Sequence, residues 1–131
     1  MEQLKDNLTF EKVQDLNYTA MVVNEALRLQ PATGLSKFYE CTKEVTLGKY
    51  KFSKGDMLGI NFAALGHSPA QWQRPMEFLP ERFDHSNPLS KTPDGKKRHT
   101  HATMPFHGGP RSCFGKTLAE MSLKVVAIYM T

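Results

Sequence analysis

One cysteine set among glycines constrains this chain more than any other feature. It lies in Phe106-His107-Gly108-Gly109-Pro110-Arg111-Ser112-Cys113-Phe114-Gly115-Lys116-Thr117-Leu118-Ala119, with an arginine two residues upstream and a helical pattern starting just downstream. A helix N-terminus, with its free N–H groups and positive dipole end, favours a thiolate over a thiol. Arg111 adds a fixed positive charge beside the sulfur. Gly108, Gly109 and Gly115 remove side chains where something flat and bulky could approach the backbone. A large planar cofactor over the sulfur of Cys113 uses all of these features.

The spacing F-x-x-G-x-R-x-C-x-G-x-x-x-A resembles the haem-binding signature of the cytochrome P-450 family. Phe106, Gly109, Arg111, Cys113, Gly115 and Ala119 fill its fixed positions. Average residue usage would produce such a match in a chain this long on the order of once in a million. The resemblance implies haem b (iron protoporphyrin IX) as cofactor, with Cys113 as the axial ligand of its iron. A thiolate ligand pushes electron density onto iron and favours O–O cleavage. The resemblance also implies that Arg111 pairs with a haem propionate, and that Phe106, Gly109 and Gly115 shield the sulfur and leave room for the porphyrin. His107 departs from the family, which usually has a small residue there; its ring either crowds the loop or points to solvent.

With 131 residues the chain is long enough for one domain with a modest core. A net charge of +4 singles out no partner, and Lys96-Lys97-Arg98 is too short a basic run to argue for nucleic acid. Cys41 and Cys113 lie far apart without a C-x-x-C, which argues against a disulfide framework and fits a reducing compartment. The longest apolar runs, near residues 20–23 and 125–130, fall short of a membrane span. The N-terminus is polar and has no signal-peptide pattern. Thr131 falls inside a helical pattern with no Gly, Asn or Pro stop, so the chain is expected to be cut from something longer.

In chain order, Thr9 can cap a short helix over residues 10–15, and Asn17 a second over about 17–30, stopped by Pro31. Helical spacing puts Tyr18, Met21, Val22 and Leu29 on one apolar stripe with Glu25 in its middle, and Val23 and Leu27 opposite. A buried carboxylate there needs a partner, and Arg28 is within reach; an exposed i,i+3 ion pair is the plainer alternative. Residues 35–62 shift toward strand. Val45 and Leu47, then Gly48-Lys49, then Tyr50 and Phe52 predict a hairpin, and a turn at Ser53–Asp56 predicts a strand over 57–62. Ser68-Pro69 reads as the start of a short helix through Trp72, whose ring is expected in the core. Cys41 reads as a packing residue. A final helix from about 114 to 131 would turn Lys116, Glu120 and Lys124 outward and bury Leu118, Met121, Val125, Ile128 and Tyr129.

The resemblance spans roughly Leu8 to Thr131, the C-terminal third of a family member. It implies a mainly α fold with a small β-sheet (α+β): K helix about 17–30, small sheet about 35–62, meander about 73–84, haem-binding Cys loop 106–115 and L helix about 114–131. Glu25-Ala26-Leu27-Arg28 matches the family's E-x-x-R and Pro80-Glu81-Arg82-Phe83 its P-E-R-F, so Glu25, Arg28 and Arg82 are implied to form a buried structural triad. Lys37 is the nearest candidate for a basic residue that contacts a propionate. The implied function is haem-thiolate monooxygenation, inserting one oxygen atom of dioxygen into an apolar small molecule with electrons from a flavoprotein reductase. The alternative is a non-catalytic remnant that binds haem weakly or not at all. No catalytic residue is assigned, because the family's proton-delivery pair sits on an upstream helix. The reductase could dock on Lys96, Lys97, Arg98, Lys116 and Lys124, although solvated charge is the plainer reading of both clusters. The implied location of the parent is the endoplasmic reticulum membrane, cytoplasmic face, with no membrane segment in these residues. A zinc site from His99, His101, His107 and Cys113 matches no standard spacing and would leave the glycines and Arg111 unexplained.

Overall fold

Two helices, α2 (Asn17–Leu29) and α4 (Lys116–Met130), pack together, and α2 also packs against the turn at 80–83 and the helix at 62–67. The structure is a computed structural model that describes residues 7–130; the polar residues 1–6 and Thr131, the last residue expected of the final helix, lie outside it. Among the described residues, four α-helices and two small antiparallel pairs of strands make the fold α+β.

The short helix α1 (Phe10–Gln14) starts where Thr9, in extended conformation, accepts a 3.4 Å hydrogen bond from Lys12 N–H. Its last carbonyls, which have no partner within so short a helix, receive Lys124 Nζ from α4, at 3.2 Å to Val13 O and 3.1 Å to Gln14 O. Lys124 is therefore half-buried and tied down, not a free member of an outer lysine face. Asn17 is the first residue of α2 and not its cap; Leu16 precedes it and offers no side-chain oxygen. The helix ends at Leu29, two residues before Pro31. Its buried face is Val23, Glu25 and Arg28. The expected stripe of Tyr18, Met21, Val22 and Leu29 is at most half-buried, because the neighbours of α2 gather round the charged residues instead.

The strands β1 (Tyr39–Glu40) and β4 (Met57–Leu58) pair antiparallel, with Tyr39 opposite Leu58. Between them β2 (Val45–Leu47) and β3 (Tyr50–Phe52) form a hairpin in register Val45 to Phe52, turned by Gly48 at φ +60°. Buried Cys41 joins the pieces through Cys41 N–H to Asp56 O and Gly55 N–H to Cys41 O, both 2.8 Å. The strand expected over 57–62 stops at Leu58. Asn61 Oδ1 accepts from Ala64 N–H at 2.9 Å and caps α3 (Phe62–His67). Ser68 thus closes a helix and does not open one; Gln71 and Trp72 N–H turn back onto its carbonyl.

Gly66 lets α3 lie directly on α2. A Cβ there would drive into the Arg28 carbonyl oxygen. Phe62 and Trp72 are each 2% exposed and form the core with Val13, Val23, Ala102 and Ile128. On α4, which begins at Lys116 rather than Phe114, only Ile128 of the expected apolar arc is buried. Met121 and Val125 are half-buried, and Leu118 and Tyr129 are exposed.

Candidate haem-binding site and its buried support

Glu25, Arg28 and Arg82 are the largest buried charges in the described residues, with Glu25 and Arg28 at 0% exposure and Arg82 at 1%. Helix α2 brings Glu25 and Arg28 together by its i,i+3 spacing, and a 3-10 turn over Pro80–Phe83 brings Arg82. Glu25 Oε2 accepts from Arg28 Nε at 2.7 Å. Glu25 Oε1 accepts from Arg28 Nη2 and Leu79 N–H at 2.8 Å and from Arg82 Nε at 2.9 Å. Burial pushes the Glu25 carboxyl up. The hydrogen bonds from Arg28, Leu79 and Arg82, with the charge of Arg28, outweigh burial and hold it below its ordinary 4.5.

The remaining guanidinium N–H groups grip helix α3 at Gly66 and the irregular segment 73–77. Arg28 donates to Gly66 O, Pro75 O and Glu77 O, and Arg82 donates to Gln73 O, Arg74 O and Glu77 O. The irregular segment satisfies few of its carbonyls itself, Arg74 O from Glu77 N–H being one, and two forked cations supply the other donors. Arg74, at φ +48°, sits in this segment, and its exposed side chain pairs with Glu77.

Arg98 belongs to the same interior and not to a surface patch. Its guanidinium carbon lies 3.9 Å from the centre of the Trp72 ring, and its Nη2 donates to Leu89 O at 2.7 Å and Arg82 O at 3.1 Å. Burial first, then the charge of Arg82, pushes it down to about 10. Within the run Lys96-Lys97-Arg98 only the lysines are exposed, Lys96 paired with Asp94. Nothing local marks Arg98 as different; a distant indole decides its place.

The cysteine loop is built separately from this network. Cys113 N–H donates to Phe106 O at 2.9 Å, closing a loop whose middle is a 3-10 turn over Gly109–Arg111, with Gly109 at φ +72°. Cys113 and Arg111 are exposed, and Phe106 and Gly115 are half-buried. A Cβ on Gly115 would sit 3.8 Å from Cys113 Sγ, so this glycine keeps the sulfur's flank open. His107 takes a left-handed backbone, at φ +61°, and its side chain is half-buried. Its ring packs edge-on against Phe62, 4.6 Å between centres, and seats the loop on α3. Lys37 is exposed on the sheet side with its Nζ over the Tyr39 ring, and no described contact joins it to the cysteine loop. His99 and His101 stack on each other, and no group of metal-ligating side chains is assembled among the described residues. Lys116 is exposed near Glu120.

Close to Cys113 in sequence, Phe114 is fully exposed and Leu118 is 74% exposed, alongside the exposed thiol and the exposed Arg111 guanidinium. That donor set fits a broad planar apolar group with acidic substituents and an iron that accepts sulfur.

The chain matches the family model described as Cytochrome P450 over residues 1–130. It is 38% identical to mouse Cytochrome P450 3A11 over 118 residues, covering 89% of this chain and 22% of that protein. Pig Taurochenodeoxycholic 6 alpha-hydroxylase is 36% identical over 121 residues, 92% of this chain and 22% of that one. Arabidopsis thaliana Cytochrome P450 98A8 is 36% identical over 123 residues, 94% and 23%. The chain therefore spans under a quarter of the length of these relatives. With the cysteine loop and its buried support as described, this match makes the chain a member of the cytochrome P450 family.

Proposed function

We propose that these residues are the iron-ligating and scaffold part of a haem-thiolate monooxygenase that inserts one oxygen atom of dioxygen into an apolar organic substrate. The observation that carries this is Cys113: exposed, in a loop closed by its own N–H, two residues from exposed Arg111 and next in sequence to exposed Phe114. The name of one relative, the pig Taurochenodeoxycholic 6 alpha-hydroxylase, states a hydroxylation, which is the same class of oxygen insertion.

Haem, when bound, supplies the one-electron and dioxygen chemistry. Cys113 Sγ holds the iron, Arg111 pairs with a propionate, and Lys37 is a further propionate partner. Phe106, Gly109 and Gly115 keep the sulfur shielded and the approach to it open. The Cys113 N–H, spent on Phe106 O, fixes where the sulfur points. Glu25, Arg28 and Arg82 act as a structural triad that holds the irregular segment 73–77. A flavoprotein reductase would deliver electrons near Lys96, Lys97 and Lys116, which remain exposed. The parent works at the cytoplasmic face of the endoplasmic reticulum; no described helix is long and apolar enough to cross a membrane.

Titrating the chain with haem and following its absorbance tests this reading. Cys113→Ala should lose the thiolate-type spectrum of the parent; identical spectra from both proteins overturn the assignment of Cys113. Failure of the parent to take up haem at all favours the second reading, a remnant without a working site, for which the exposed Phe114 and Leu118 speak.

A further inference from the structure

His107 seats the cysteine loop on α3 through the Phe62 ring, and a second link leads from the core to the loop's first half. The link runs through residues 71–72 and 98–102. Three contacts dock one segment on the other. Gln71 Oε1 accepts from His99 N–H at 2.9 Å. The Trp72 ring lies under the Arg98 guanidinium at 3.9 Å. Trp72 Nε1–H donates to Ala102 O at 3.2 Å and also to Leu65 O at 3.1 Å. Ala102 is 5% exposed, and four residues later Phe106 O receives the Cys113 N–H.

The same indole faces the network. The Arg28 guanidinium carbon lies over its ring at 5.0 Å, while Arg28 itself clasps Glu25. Arg98 is unlike its neighbours in the interior. Arg28 and Arg82 share the Glu25 carboxylate, but among the described residues no carboxylate pairs with Arg98, and its buried Nε has no partner. Its charge rests on the π face of Trp72 and on the carbonyls of Arg82 and Leu89. A desolvated cation over an aromatic face is held electrostatically by the ring quadrupole. An arginine placed without a carboxylate in an already positive interior must be held by that face. It also reaches back to Arg82, a member of the triad.

We infer that Trp72 and Arg98 form a positioning clamp that ties the cysteine loop to the Glu25–Arg28–Arg82 network and so sets Cys113 Sγ for iron ligation. This rests on the haem-thiolate reading. Neither residue touches the cofactor; both act through the backbone of residues 98–106.

The test uses the whole chain loaded with haem, reduced and exposed to carbon monoxide, reading the ratio of thiolate-ligated to displaced Soret bands. Arg98→Met, which keeps bulk and removes charge, should lower that ratio about tenfold at unchanged helix content, and Arg98→Lys should stay within about twofold of the parent because an ammonium still meets the ring. Trp72→Phe, which keeps an aromatic face and loses the bond to Ala102 O, should fall between them. An unchanged ratio in Arg98→Met overturns the clamp. So does loss of helix content and haem together in both Arg98 variants, which would make Arg98 a general fold residue. A parent with no thiolate band would sink the haem-thiolate reading instead. The clamp is then read in the haem-free chain from alkylation of Cys113, assigned with Cys113→Ser. Faster alkylation in Arg98→Met supports it, and an unchanged rate overturns it.

Discussion

The two halves of the molecule treat polar and apolar groups in opposite ways. Around Arg28 and Arg82, full-strength charges are buried completely and nearly every donor has an acceptor. Around Cys113, a thiol and a guanidinium lie open, and Phe114 and Leu118 are exposed at 105% and 74%. Buried charge is tolerated only when its partners are all in place. Exposed large apolar groups in a patch mark a face that something else covers. The first half is a finished interior, and the second is a surface made for contact.

The sharpest way to break the finished half is Glu25→Ala, which leaves two guanidiniums buried without a carboxylate. It should destabilise the chain by about 3–5 kcal/mol and abolish haem retention. Urea denaturation and haem titration check both. Acid should do part of the same thing. The folded-state carboxyl of Glu25 titrates below its ordinary 4.5, so its contribution is complete above that value and is lost as pH falls through the lower, folded-state one. Denaturation midpoints measured from pH 7 downward should fall in that acid range, and Glu25→Gln should flatten the fall.

Core packing comes next. Ile128 on α4 is 2% exposed, so Ile128→Ala should cost about 2–5 kcal/mol. Gly66→Ala should cost about 1–3 kcal/mol, because the added methyl meets the Arg28 backbone, which cannot swing aside as a side chain would. The smallest effect belongs to the open half. Leu118→Ala, on the same helix as Ile128, should change the stability of the haem-free chain by no more than about 0.5 kcal/mol. A loss as large as that of Ile128→Ala would show that the open face is packed after all, and the contrast between the halves would fail.

What could be read in advance follows the range of the forces involved. The cysteine loop has a fixed local spacing, and Glu25 and Arg28 are neighbours on one helix, so local sequence points to them. Helix α3 is hidden in the sequence because Met57, Leu58, Ile60 and Phe62 suggest a strand that runs into its first residue. The deciding signal was Asn61, whose side chain caps Ala64, followed by the helix formers Ala63, Ala64 and Leu65. Arg98 and Lys124 could not be read locally at all. Each sits in a run or ladder of charges that looks solvated, and each is drawn inward by a distant group: the Trp72 ring for Arg98, the ends of α1 for Lys124. The exposed arc of α4 is the converse case. Its helical pattern promised burial, but the described residues bury only Ile128 on it.

The measurement that tests the account most directly is the carbon monoxide difference spectrum of the reduced, haem-loaded chain beside that of Cys113→Ala. The account predicts a strongly red-shifted Soret band in the parent that disappears in the variant. The same spectrum from both proteins would contradict it.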